Sequence, residues 1–148
     1  MYRISVFPFI LFVGLIFSGC NDSSSTKLDF RTVERTQSSR IINQRFVVVK
    51  DSDTWKNLWA EHIGNNQGFP MPEVDFSQEM VLGVFLGVRS NTCFWVTIES
   101  VEQITNQRLL VKYREQKTGS VCGRAETEPT HLIAIASSDL KIEFVELE

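Results

Sequence analysis

The run that decides the fold is Met-Val-Leu-Gly-Val-Phe-Leu-Gly at residues 80–87. Its apolar side chains do not alternate with polar ones, which is typical of a strand that is buried on both faces. Gly83 lies inside the run, and turn-forming residues bound it on both sides. The sequence therefore predicts a central strand with protein packed against each of its faces.

Further strands are predicted before and after this run, because several segments are rich in β-branched and aromatic residues. Two of them alternate apolar and polar side chains and are separated by a short turn, Thr-Asn-Gln at residues 105–107. That arrangement is typical of a β-hairpin. The additional predicted strands cover residues 41–50, 94–104, 109–114, 131–136 and 142–147.

One amphipathic helix is predicted over residues 54–63, between acidic N-cap candidates and Gly64. Trp55 and Trp59 fall on its apolar face. We expect them to pack the helix onto the sheet rather than to stack on a ligand. His62 lies beside a glutamate and off this face, so we expect it to be solvated.

The connections between the predicted strands are too short for helical crossovers, which favours antiparallel pairing. We therefore expect an α+β domain over residues 41–148. Its predicted core is a mostly antiparallel sheet of five or six strands, packed by the one N-terminal amphipathic helix.

The first nineteen residues are expected to be an export signal. Arg3 precedes an apolar stretch, residues 6–17, which is shorter than the ~20 residues a membrane-spanning helix needs. Residues 17–20, Phe-Ser-Gly-Cys, resemble the lipobox of bacterial lipoproteins. The resemblance implies cleavage before Cys20 and lipid attachment to its thiol, with a plain secretory peptide as the alternative. Residues 20–40 are then expected to be the lipidated cysteine and a polar tether.

Charge and cysteine content narrow the functional classes. The net charge is −3, and no run of Lys or Arg provides the footprint of a nucleic-acid-binding protein. Membrane contact is expected through the lipid on Cys20. Cys93 and Cys122 are then left as a pair, and an oxidising compartment favours a disulfide between them. Two free buried thiols, or a catalytic or metal role, are the alternatives. We expect no metal and no cofactor, because close cysteine pairs of the zinc-site type are absent from the sequence.

Residues 74–145 resemble the PrcB C-terminal domain family, also called the protease complex subunit PrcB family. The order and spacing of short segments carry this resemblance: residues 74–81, 86–87, 98–101, 110–115 and 129–131. The family is named for an accessory subunit that stabilises a surface protease. The resemblance therefore implies a cell-envelope lipoprotein domain with a protein partner.

The turns around the two cysteines are the predicted partner surface, with Arg89, Phe94, Trp95 and Arg124 as its candidate contact residues. Aromatic and arginine side chains on rigid loops are typical of protein-binding hot spots. Alternatively, Phe94 enters the core and the loops only connect strands.

No sequence motif such as G-x-S-x-G places a nucleophile beside either histidine. We therefore expect a non-catalytic, lipid-anchored envelope protein that binds or stabilises another envelope protein, such as a secreted protease. An inhibitor-like or small-ligand-binding domain that presents disulfide-stapled loops is the alternative. If the host is a diderm bacterium, the expected location is the outer membrane or the periplasmic face.

Overall fold

One helix and eight strands make up the part of the chain that this computed structural model describes, residues 25–64 and 68–148. The expected signal segment and Cys20 lie outside these residues. The elements are β1 (Thr26–Leu28), β2 (Arg31–Thr36), β3 (Arg45–Val49), α1 (Ser52–Ile63), β4 (Glu79–Phe85), β5 (Phe94–Thr105), β6 (Arg108–Lys117), β7 (Thr130–Ala136) and β8 (Lys141–Glu146).

The strands form two four-stranded sheets that pack face to face. The first sheet has the order β1-β5-β6-β8 and the second the order β2-β7-β4-β3. All neighbours are antiparallel except β6 and β8, which are parallel because the chain visits β7 in the other sheet between them. The α+β class and the mainly antiparallel pairing are confirmed. The prediction of five or six strands is wrong, because eight strands are present in two sheets.

Strand β4 is central and buried on both faces, as the run at residues 80–87 predicts. Met80 and Leu82 point into the core between the two sheets, whereas Val81 and Phe85 point toward the helix. Gly83 is needed here because a Cβ atom would lie 2.4 Å from Leu132 Cδ2. The chain therefore has three layers: the helix, the β4 sheet and the β5 sheet.

The helix ends where the sequence predicts, but it begins at Ser52, two residues before the predicted start. Asp51 is the N-cap, and its Oδ1 accepts a hydrogen bond from the Thr54 N–H at 2.8 Å. Gly64 ends the helix with a φ of 58°, a conformation that favours glycine. The rings of Trp55 and Trp59 lie 5.5 Å apart and are buried against the β4 sheet. The predicted packing role of the two tryptophans is confirmed.

The N-terminal boundary of the folded domain needs correction. β1 pairs with β5, and β2 pairs with β7, so the expected tether at residues 20–40 contains two strands. The sequence did not predict β2, because this edge strand is rich in polar residues. Its arginines bond residues far away along the chain. Arg31, for example, forms an ion pair with Glu79 at 2.7 Å. The folded domain therefore begins by Thr26 rather than at residue 41.

Candidate functional site

The loops at residues 89–93 and 118–127 lie together at the end of the β5–β6 hairpin; we call them the stapled loops. A disulfide joins Cys93 to Cys122, with an S–S distance of 2.03 Å and Cα atoms 5.3 Å apart. The predicted disulfide is therefore confirmed. Because it encloses a loop of 29 positions, it restricts the unfolded chain and stabilises the fold by about 3–4 kcal/mol in the chain-entropy model.

Hydrogen bonds hold the two loops to each other beyond the disulfide. The Thr92 N–H donates to Gly123 O at 3.1 Å, and the Gly123 N–H donates back to Thr92 Oγ1 at 2.8 Å. The Thr118 N–H donates to Cys93 O at 2.9 Å. Such paired backbone contacts leave little freedom for the loops, which gives the surface they form a fixed shape.

Arg89 holds the base of the stapled loops. Its guanidinium donates to both carboxylate oxygens of Glu115, at 2.8 and 2.7 Å, and to Leu86 O at 2.9 Å. Its backbone N–H donates a hydrogen bond to Thr127 O, and its backbone C=O accepts one from the Thr127 N–H. The hydrogen bonds that Arg89 donates to the Glu115 carboxylate raise the pKa of Arg89. Arg89 is thus half-buried and engaged within its own chain, which gives it a positioning role; partner contact by this side chain stays a prediction.

The two aromatic candidates are half-buried beside cations of the same chain. Lys117 Nζ lies 5.7 Å from the ring centre of Phe94, and the Arg35 guanidinium lies 5.4 Å from that of Trp95. Both distances fit cation–π contacts. Phe94 does not belong to either buried core cluster. Each ring therefore keeps part of its surface available next to the stapled loops.

The most exposed apolar side chain of the site is one that sequence reasoning missed. Val121 is 91% exposed and directly precedes the disulfide-bonded Cys122. Arg124, one of the predicted contact residues, is also exposed and follows Gly123, whose N–H bonds Thr92. The only sequence signal for an exposed apolar residue was the position of this valine in a stretch otherwise rich in turn-forming residues, at residues 118–124. Val121 and Arg124 thus stand on the outer surface of a rigid loop pair.

Side chains of β2, β7 and the residue after β2 form hydrogen bonds with backbone groups of β5 near the stapled loops. The Ile98 N–H donates to His131 Nδ1 at 2.8 Å, Arg35 donates to Val96 O at 3.0 Å, and Gln37 donates to Phe94 O at 2.6 Å. Since Nδ1 of His131 is an acceptor, its Nε2 carries the proton. Burial, together with the charge of Arg35, lowers the pKa of His131 to about 4. In this structure His131 therefore holds β5 against β7 of the β4 sheet.

His62 is buried, which corrects the expectation that it is solvated. Its ring packs between Trp59 and Phe85, and its Nδ1 lies 2.9 Å from Ser39 Oγ. A serine and a histidine at this distance have the spacing of a nucleophile and its base. However, Ser39 Oγ already accepts the Ile41 N–H, and both side chains are only 2% exposed.

Burial also lowers the pKa of His62 to about 4, which makes it a weak base at neutral pH. The Ser39–His62 pair therefore joins the turn after β2 to the helix, and we assign it no chemistry.

No protein-family model, curated protein or solved structure matches this chain. The resemblance to the PrcB C-terminal domain family therefore stays a prediction. Within residues 25–64 and 68–148, no three His, Cys, Asp or Glu side chains cluster in a way that could hold a metal ion. The same residues contain no helix of the length and hydropathy needed to cross a membrane.

Proposed function

We propose that this protein is a non-catalytic, lipid-anchored accessory protein that binds another envelope protein through its stapled loops. The observation that carries the proposal is Val121, an almost fully exposed valine on a loop that a disulfide and several hydrogen bonds hold in place. A rigid apolar contact residue loses little conformational entropy on binding, so most of its burial contributes to affinity.

Charge and shape around Val121 fit a protein surface. Arg124 is exposed beside it, and arginine is enriched among residues that contribute strongly to protein interfaces. Trp95 supplies a half-buried aromatic ring at the start of β5. Aromatic residues and arginine are enriched in protein interfaces. A secreted protease is the partner class that the sequence resemblance supports.

The position of β1 bears on how the stapled loops would be oriented if Cys20 carries a lipid. Thr26 pairs with Gln103, near the far end of β5 from Phe94. Gln103 is nine residue steps along β5 from Phe94, a distance of about 30 Å. The chain from a lipidated Cys20 would join the domain at Thr26, at the end of β5 opposite the stapled loops. The stapled loops would then face away from the membrane, toward a partner in the adjoining compartment.

The proposal is tested by capture from intact envelopes with variants of the lipidated protein. Val121→Asp and Arg124→Ala are expected to weaken capture of a crosslinked partner about tenfold or more, without a change in melting temperature. Val145→Asp is the matched control, because Val145 is an exposed valine on β8, away from the stapled loops. Equal capture by wild type and both loop variants would contradict the proposal. Metabolic labelling with a fatty acid, compared between wild type and Cys20→Ala, tests the anchor separately.

A further inference from the structure

A small cavity lies between β2 and the helix, and none of its lining residues belongs to the stapled loops. It has a volume of about 160 Å³ and is more enclosed than the shallow grooves elsewhere on the described residues. We call it the helix-edge cavity. Its lining combines polar side chains from the β2 segment with aromatic rings: Glu34, Thr36, Ser38, Trp59, His62 and Phe69.

A β-bulge in β2 is the reason that Glu34 reaches this cavity. Thr32 pairs with Ile133 and Glu34 pairs with Leu132, so Val33 is the extra residue. Regular alternation would place Val33 and Glu34 on opposite faces of the sheet. The bulge instead leaves both opposite Leu132, which lies on the helix side. Bulges commonly redirect side chains toward functional sites, and this one brings a carboxylate to the helix.

The charge of Glu34 is not balanced by a neighbouring cation. None of the ion pairs found in residues 25–64 and 68–148 includes Glu34. Arg35, the next residue, points to the other sheet, where it bonds Val96 O and Thr97 Oγ1. Burial raises the pKa of Glu34, as expected for a carboxylate that is partly withdrawn from water without a partner. A bound cation would remove this cost.

The aromatic lining suits the same kind of ligand. Trp59 is 5% exposed, and its Nε1 is buried with no hydrogen-bond partner among the described residues. The part of the indole that borders the cavity is therefore ring carbon. Phe69 is 57% exposed and stands at the mouth. Ring faces attract cations, and aromatic rings beside a carboxylate recognise alkylated ammonium groups.

We propose that the helix-edge cavity binds an organic ammonium group, with Glu34 as its counter-ion and Trp59 and Phe69 as its aromatic walls. A volume of about 160 Å³ holds several water molecules and leaves room for an ammonium head group carrying a few methyl groups. A larger molecule would leave its remainder outside the mouth, beside Phe69. The cavity shares no lining residue with the stapled loops, and the proposal does not depend on the function proposed for those loops.

Two ligands of the same shape test the proposal. Choline carries the cation, and 3,3-dimethylbutan-1-ol is its uncharged carbon counterpart. Titration of the full mature chain, followed by the indole N–H signals in nuclear magnetic resonance, is expected to show saturable shifts of one indole signal with choline. Trp59→Phe assigns that signal by its loss. The uncharged alcohol is expected to bind at least tenfold more weakly.

Variants separate the site from general surface binding. Glu34→Gln is expected to weaken choline binding at least tenfold, and Phe69→Ala several-fold, while Glu126→Gln, at an exposed glutamate of the stapled loops, leaves it unchanged. A melting curve for each variant verifies folding. The proposal is overturned if choline causes no saturable shift, if the alcohol binds equally well, or if Glu34→Gln binds as wild type does. Capture through Val121 is measured independently, so either proposal can fail alone.

Discussion

Acidification from pH 7.5 to pH 5 is expected to destabilise this protein mainly through its two histidines. His62 and His131 are both buried and hydrogen-bonded, and burial lowers the pKa of each from 6.5 to about 4. Because the folded-state pKa lies below the unfolded-state value, the unfolded chain binds more protons between pH 6.5 and pH 4. Stability is therefore fully present above pH 6.5 and falls as the pH drops through that window.

The size of the effect follows from the two pKa values. For one histidine that shifts from 6.5 to about 4, linkage gives a loss of about 2 kcal/mol at pH 5. His62 is a helix residue that packs against Phe85 of the β4 sheet, whereas His131 lies between the two sheets. The two sites are separate, so the two losses add to about 4 kcal/mol. That is a large part of the 5–15 kcal/mol typical of a domain.

Carboxylates change this total only slightly above pH 5. Hydrogen bonds lower the pKa values of several, so their contribution is lost at lower pH, whereas the raised pKa of Glu34 acts in the opposite direction. The carboxylates with lowered pKa values are Asp51, Asp75, Glu79, Glu102 and Glu143.

Urea unfolding followed by tryptophan fluorescence at pH 7.5 and pH 5 measures the loss. Asparagine variants are the appropriate comparison, because Asn Oδ1 occupies the position of His Nδ1 and keeps an acceptor for the Ile98 N–H. His131→Asn and His62→Asn are each expected to remove about half of the pH dependence, and the double variant nearly all of it. The reasoning is refuted if the double variant loses as much stability between these pH values as the wild type.

Three further predictions concern the core and the stapled loops. Replacing Cys93 and Cys122 by serine is expected to lower the free energy of unfolding by about 3–4 kcal/mol, measured in urea; an unchanged midpoint would contradict it. Gly83→Ala is expected to cost about 1–3 kcal/mol by overpacking against a neighbouring leucine, visible as a lower melting temperature; a neutral effect would show that the core adapts. Arg89→Gln, which removes the ion pair with Glu115, is expected to accelerate hydrogen exchange in the loops, and unaltered protection would exclude the positioning role.

Local patterns in the sequence predicted the elements whose apolar residues are nearly all buried. The apolar run at residues 80–87 became a strand covered on both faces, and the periodic residues of α1 became its packed face. The disulfide followed from the cysteine count once Cys20 was set aside for lipid. The strand and the helix followed from neighbouring residues alone, whereas the disulfide joins cysteines 29 positions apart and followed from their number and the expected compartment.

Features that depend on contacts between distant residues could not be predicted in this way. β2 is an edge strand with charged residues, and its partner β7 lies about a hundred positions further along the chain. The burial of His62 depends on Ser39, which is 23 positions away. The bulge that directs Glu34 toward the helix shows only in the pairing register. The exposure of Val121 likewise emerges only when the disulfide has placed both loops.

Photo-crosslinking from position 121 tests the central claim, that the stapled loops bind a protein partner, most directly. A photoreactive amino acid replaces Val121 in the lipidated protein, and the same replacement at Val145 serves as the control, because Val145 is an exposed valine on a different element. After irradiation of intact envelopes, we expect a discrete adduct of one size from position 121 and none from position 145. The absence of an adduct at position 121, or identical adducts from both positions, would contradict the account.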